Sequence, residues 1–112
     1  MAEIVWTEPA LSDLDAIADY IALDKPAAAA ALVQRVFAIV GKLEAFPEIG
    51  SRPREFKRSR YRQIIEPPCR VFYRYDGKRV HILHVMRSEQ LLRPSRVSAR
   101  DRKLTRGSRG SA

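Results

Sequence analysis

Arginine alternates with apolar side chains in Tyr61-Arg62-Gln63-Ile64-Ile65-Glu66 and again in Arg70-Val71-Phe72-Tyr73-Arg74-Tyr75. In a strand, successive side chains point to opposite faces, so Arg70, Phe72 and Arg74 share one face and Val71, Tyr73 and Tyr75 the other. Arg62 and Ile64 oppose Tyr61, Gln63 and Ile65 in the same way. A face that interleaves guanidinium groups with an aromatic ring offers charge for phosphates and a platform for stacking, the combination that nucleic-acid sites use. Arg87 follows a third apolar segment, and Arg52, Arg58 and Arg60 precede the first. Arg52, Arg58, Arg60, Arg62, Arg70, Arg74 and Arg87 are therefore the expected contacts for a target or a nucleic acid. The bland alternative makes Arg70 and Arg74 solvated surface residues, or cross-strand partners of Glu66 and Asp76.

Other reactive side chains point to less. His81 and His84 fall on opposite faces of a regular strand and cannot share a metal, so no metal site and no cofactor are expected. His84 reads as a partly buried imidazole on the face of Ile82 and Met86, and His81 as exposed. Cys69 has no second cysteine to pair with. Arg70 beside it could lower its pKa, although a lone cysteine at a strand end is more often inert. There is no glycine-rich phosphate loop.

These residues need elements to hold them. Glu3 to Trp6 reads as a short strand, and Thr7 with Pro9 as the cap and first turn of a helix. Leu11, Leu14, Ile17, Ala18 and Ile21 recur at helical spacing and predict a helix over Glu8 to Leu23. Asp24-Lys25-Pro26 repeats the start signal, and Leu32, Val36, Ile39, Leu43 and Phe46 mark a second helix that Pro47 and Gly50 end. The next segment, with Arg52, Arg54, Lys57, Arg58 and Arg60, reads as a positive loop. Tyr61–Glu66, Arg70–Tyr75 and Val80–Val85, separated by Pro67-Pro68 and Asp76-Gly77, predict a three-stranded antiparallel meander. The expected class is α+β: an antiparallel sheet of the N-terminal strand plus the meander, packed by a two-helix hairpin.

The net charge of +8 is unevenly spread. Met1 to Gly50 carries a balance of minus five, Ser51 to Leu92 plus seven, and Arg93 to Ala112 plus six. Such asymmetry predicts an acidic helical side and a basic side suited to nucleic acid or an acidic protein, or else mere solubilising charge. Apolar periodicity fades after Leu92, so the expected organisation is one domain over 1–92 and a basic, disordered tail over 93–112. The tail reads as a non-specific nucleic-acid contact or as a solubilising extension. The opening residues lack a signal-peptide pattern, and no stretch reads as a membrane span, which predicts a cytoplasmic protein without membrane contact.

Several residues, in order, resemble a known family. Trp6-Thr7-Glu8-Pro9-Ala10, Asp13-Leu14, Ile17, Tyr20-Ile21, Pro26, Ala31, Leu43, Phe46-Pro47 and Gly50-Ser51-Arg52 come first. Tyr61-Arg62, Arg70-Val71-Phe72-Tyr73, Ile82-Leu83-His84-Val85 and Arg87 continue the pattern. Over roughly Glu3 to Leu91 the chain resembles the RelE/ParE toxin superfamily, more closely its ParE branch. The resemblance implies a growth-inhibiting toxin of the kind encoded in plasmid-stabilising pairs. It also implies a cognate antitoxin, expected to carry an acidic segment, that wraps the toxin in a hetero-oligomer.

Two targets come with that resemblance. ParE-type members inhibit DNA gyrase; RelE-type members cut ribosome-bound messenger RNA with a cluster of basic residues and a tyrosine. Arg62, Arg70 and Arg87 match basic positions of that cluster and would be catalytic in a nuclease. Ile64 and Val85 stand where two further cations are expected, and Leu91 where the proton-transferring tyrosine belongs. Gyrase inhibition without covalent chemistry is thus the first reading. A ribosome-dependent endoribonuclease is the second, and an inactive antitoxin-binding or co-repressor module the third.

Overall fold

Thr7 has two tasks at the start of the first helix. Its hydroxyl accepts from the Ala10 N–H at 3.4 Å and donates to the Ile82 carbonyl at 2.6 Å, so one side chain caps the helix and pins it to the sheet. The computed structural model describes residues 1–56 and 59–110. It contains β1 (Glu3–Trp6), α1 (Glu8–Ala22), α2 (Pro26–Gly41) with a 3-10 turn at Lys42–Glu44, then β2 (Tyr61–Glu66), β3 (Cys69–Tyr75), β4 (Arg79–Arg87) and α3 (Pro94–Gly110). The hairpin and the meander follow the predicted periodicities closely. Lys25, rather than Asp24, caps α2, without a side-chain hydrogen bond.

The strand order is β1-β4-β3-β2. β2, β3 and β4 are antiparallel, but β1 runs parallel to β4, from Glu3 opposite Arg79 to Trp6 opposite Ile82. The sheet is therefore mixed, not antiparallel throughout. The helical hairpin and the loop after it return the chain to its starting end, so β2 runs with β1, and two further reversals leave β4 running with them. Asp76 and Gly77 make the last reversal. The Asp76 carboxylate accepts from the N–H groups of Lys78 and Arg79, and Gly77 takes a φ of 97°, open to glycine at little cost.

One face of the sheet packs on the hairpin, where Leu14, Ile17, Leu32, Val36, Val40 and Leu43 meet Ile64, Val71, Tyr73, Val80, Ile82 and Val85. The stretch Pro26–Glu44, 19 residues long, is apolar and long enough to cross a bilayer by length and composition. The sequence reading had no such stretch, and here its inner stripe is buried in this core. Phe46, counted with that stripe, is exposed instead, since the helix ends before reaching it.

The opposite face is also covered. Phe56, Tyr61, Phe72, Leu83, Met86, Leu92 and Val97 form a second core, with Leu104 packed against it. In place of the disordered tail expected from Arg93 there is a helix, Pro94–Gly110, docked on this core through Val97 and Leu104; residues 111 and 112 lie outside the described ones. Its inner apolar positions are few, and its like charges repel at i, i+4, so α3 owes its existence to tertiary contacts rather than to propensity.

Two ionic clamps supply those contacts. Asp101 is fully buried; its carboxylate accepts from Arg74 at 3.0 and 3.1 Å, from Tyr61 Oη at 3.0 Å and from Arg60 at 2.9 Å. Burial favours the neutral acid, but the bonds from Arg74 and Tyr61 outweigh it and lower the pKa. The residue just before it, Arg100, reaches Asp13 of α1 at 2.6 and 3.2 Å, the Leu83 carbonyl at 3.1 Å and His84 Nδ1 at 2.7 Å. Asp13 also accepts from the Val85 N–H at 3.1 Å. A bulge makes this second clamp possible: Phe72 pairs with His84 and Tyr73 with Ile82, so Leu83 is the extra residue. His84 is thereby turned to the side of Phe72, 5.7 Å between ring centres, and not to that of Ile82 as a regular strand would place it. His81 is half-buried, not exposed, with Nε2 3.1 Å from Asp76.

The clamps generate two expectations. Asp101→Asn leaves Arg74 facing a neutral group in a dry site and should cost about 3 kcal/mol in urea unfolding; a loss below a few tenths would mean that α3 is held by its apolar face alone. For Asp13, burial raises the pKa, yet hydrogen bonds from His84, Arg100 and Val85 bring it down to about 2 from 3.8. A lowered pKa stabilises the fold above the unfolded value and is lost as pH falls through the folded one, so Asp13 contributes about 2 kcal/mol at neutral pH that fades between about pH 4 and 2. Asp13→Asn should therefore flatten the acid limb of stability against pH, measured as urea midpoints.

Candidate target-binding surface

The structure brings some of the predicted arginines together and separates others. Arg60, Arg70 and Arg74 lie on the α3 side of the sheet. Arg62 pairs with Tyr73 across β2 and β3 and so faces the hairpin, where it donates to the carbonyls of Glu48 and Gly50 at 3.1 and 2.9 Å. Arg87 is on the hairpin side too, 4.6 Å over the Tyr20 ring and 3.4 Å from Glu89. Arg52 donates to the Ser59 carbonyl within the basic loop. Arg58 lies outside the described residues. The single cationic surface expected from strand alternation does not form, because the register of β2 on β3 sends Arg62 to the face opposite Arg70.

Arg70 and Arg74 are also not free. Arg70 forms a two-pronged pair with Glu55, both bonds 3.0 Å, donates to Gln63 at 2.9 Å and lies 4.9 Å over Phe72. Hydrogen bonding from Arg70 holds the Glu55 carboxyl below its ordinary range. Arg74 is committed to Asp101. The partners are therefore Glu55 and Asp101, contributed by the loop and by α3, and not the neighbouring strand residues Glu66 and Asp76. Arg60 keeps 64% of its side chain in solvent while touching the same Asp101.

Strand-cutting chemistry needs cations on the phosphate and a group to move a proton. Arg62 and Arg87 are separated from Arg70 by the thickness of the sheet. Leu91 is 87% exposed and has no proton to give. Tyr73 is buried, with its Oη accepting from the Gly50 N–H at 2.9 Å, and burial pushes its pKa up. A Cβ on Gly50 would lie 2.6 Å from that same oxygen, so the contact requires glycine. Tyr75 donates to the Gly77 carbonyl and is on the hairpin side as well. Burial also pushes the Cys69 thiol up, which outweighs its arginine neighbours and makes it a poor nucleophile.

Two other surfaces stand out. Around the outer edge of β2 the large side chains Phe46 and Ile49, each 62% exposed, and Ile65, 51% exposed, border shallow hollows with Ile39, Lys42 and Tyr75. Part of this edge is closed by Ser51, which exchanges both backbone hydrogen bonds with Gln63. The second is the outer side of α3, with Arg96, Arg102 and Lys103 in solvent. Sequence reading missed α3 and its two clamps. The available signals were Pro94, suited to a first helical position, and Val97 with Leu104, seven residues apart and so on one helical face.

Comparison with known proteins agrees with this architecture. Residues 4–92 match the family described as the ParE toxin of the type II toxin-antitoxin system parDE. Toxin RelE2 of Caulobacter vibrioides is 33% identical over 91 residues, which are 81% of this chain and 100% of that one. Putative toxin Y4kP of Sinorhizobium fredii is 39% identical over 87 residues, 78% of this chain and 88% of that one. Among solved structures, a chain of the chromosomal ParDE toxin-antitoxin system of P. aeruginosa superimposes with a TM-score of 0.66 at 30% identity, covering 78% of this chain and 96% of its own. A chain of the RelBE2 toxin-antitoxin complex of Mycobacterium tuberculosis, 24% identical with a TM-score of 0.52 over 77% and 96% of the two chains, shares the fold. With its sheet, hairpin and match over 4–92, this chain belongs to the ParE toxin family of type II toxin-antitoxin systems.

Proposed function

We propose that this toxin acts in the ParE manner, by binding and inhibiting DNA gyrase, and that it does not cut RNA. The observation that carries this reading is the separation of Arg62 and Arg87 from Arg70 by the sheet, together with Leu91 at the position of the proton-transferring tyrosine. A cleavage site assembled from these residues would lack both convergence and a general acid. Target contact then falls to exposed cations: Arg52 and Arg60 from the loop, and the outer residues of α3. Purified toxin should inhibit supercoiling by gyrase, or trap its cleavage complex, on plasmid DNA. Normal gyrase turnover at doses that arrest growth would end the proposal. Discrete breaks in translated messages, seen by primer extension and abolished by Arg70→Ala, would establish the nuclease instead.

The partner in this reading is a cognate antitoxin whose segment is acidic, since cations left in solvent are best covered by opposite charge. Exposed Phe46, Ile49 and Ile65 supply apolar area that salt does not screen. The affinity of the toxin-antitoxin complex should fall as salt rises, and Arg60→Ala should reduce that dependence. An affinity indifferent to salt, measured by titration calorimetry, would assign the interface to the apolar edge alone.

A further inference from the structure

We infer that the outer face of α3 is a docking surface for the phosphodiester backbone of duplex DNA, independent of base sequence. The last twenty residues carry seven basic side chains and a single acidic one, Asp101. That acid is turned fully inward onto Arg74, Tyr61 and Arg60. Arg100 is turned toward Asp13, so it too is spent on the fold. Among the described side chains, the exposed positions of the helix and its approach are Arg93, Ser95, Arg96, Ala99, Arg102 and Lys103. The outer face therefore bears charge of one sign only.

Among the described residues, several arginines away from α3 have a carboxylate within reach: Arg35 with Glu66, Arg70 with Glu55, Arg79 with Glu3, Arg87 with Glu89. No acidic side chain pairs with Arg93, Arg96, Arg102 or Lys103 among the described residues. From residue 93 to 103 a helical rise covers roughly 15 Å, the length of several phosphates along one strand of a duplex.

The chemistry of the face selects among polyanions. A protein partner would need an apolar or aromatic anchor to expel water, and Ser95 and Ala99 provide none. Single-stranded nucleic acid is held by stacking on aromatic rings, also missing from this face. Backbone contact with a duplex needs only positioned cations, and these are positioned, because the Asp101 and Arg100 clamps fix which way the helix is rotated.

The test uses the full chain and a labelled duplex of about 25 base pairs, with anisotropy followed between about 50 and 200 mM salt. The expected log-log slope is about −3 to −4, each phosphate contact contributing about 0.9. A combined Arg96→Ala, Arg102→Ala, Lys103→Ala variant should bind at least about tenfold more weakly and lose roughly 2.5 from the slope. Its urea midpoint should be unchanged, since all three side chains are in solvent. An Arg35→Ala, Arg79→Ala variant, altered away from α3, should keep the slope of the parent. An unaltered slope in the triple variant overturns the inference. So does tighter binding to single-stranded RNA, to duplex RNA or to polyglutamate than to the DNA. Gyrase inhibition is measured separately, so a failure here leaves that reading standing and the reverse also holds.

Discussion

A carboxylate in a dry site must be met by charge or it will not stay ionised, and Asp101 is such a group. Taking it out of water costs several kcal/mol, an expense that only well-placed donors offset. Arg74, Tyr61 and Arg60 are those donors, and each comes from the sheet or from the residue before it. The consequence reaches in two directions. Inward, the cations of the strand face are consumed by the fold. Outward, the helix is held at one rotation, since turning it by a single residue in either direction would put Arg100 or Arg102 in place of Asp101 at the buried position.

Much of the architecture was readable from local pattern. Leu14, Ile17, Leu32, Val36 and Leu43 announce the hairpin through a helical period, and the meander strands are marked by alternation between strong turn signals. These features depend on neighbours within one element, which is what a sequence displays. The direction of β1 was not readable, because it follows from how the chain returns after α2. Nor was α3, whose inner face has Val97 and Leu104 but also Asp101, a residue that reads as surface until its partners in β2 and β3 are known.

The candidate site was legible in type and not in arrangement. Alternation correctly grouped Arg70 with Arg74 and set Tyr73 and Tyr75 apart from them. The grouping of Arg62 with these two required the register of β2 on β3, and Arg62 opposite Tyr73 places it on the other face. The partners were beyond reach for the same reason, since Glu55 and Asp101 belong to a loop and a helix distant in sequence from β3. The extra residue at Leu83 is a further case, as it turns His84 toward the α3 side and no local signal marks it.

With the hairpin on one face of the sheet and α3 on the other, neither face is left as an open platform for chemistry. The surfaces left in solvent are the outer sides of the helices, the basic loop and the edge of β2. These surfaces differ in sign: α1 exposes Glu8, Asp15 and Asp19, whereas α3 exposes Arg96, Arg102 and Lys103. A molecule so polarised orients in the field of a polyanion before it touches it, with α3 leading and the acidic hairpin held away. On the gyrase-binding reading proposed above, such a surface offers recognition without the buried proton donor and convergent cations that cleavage requires.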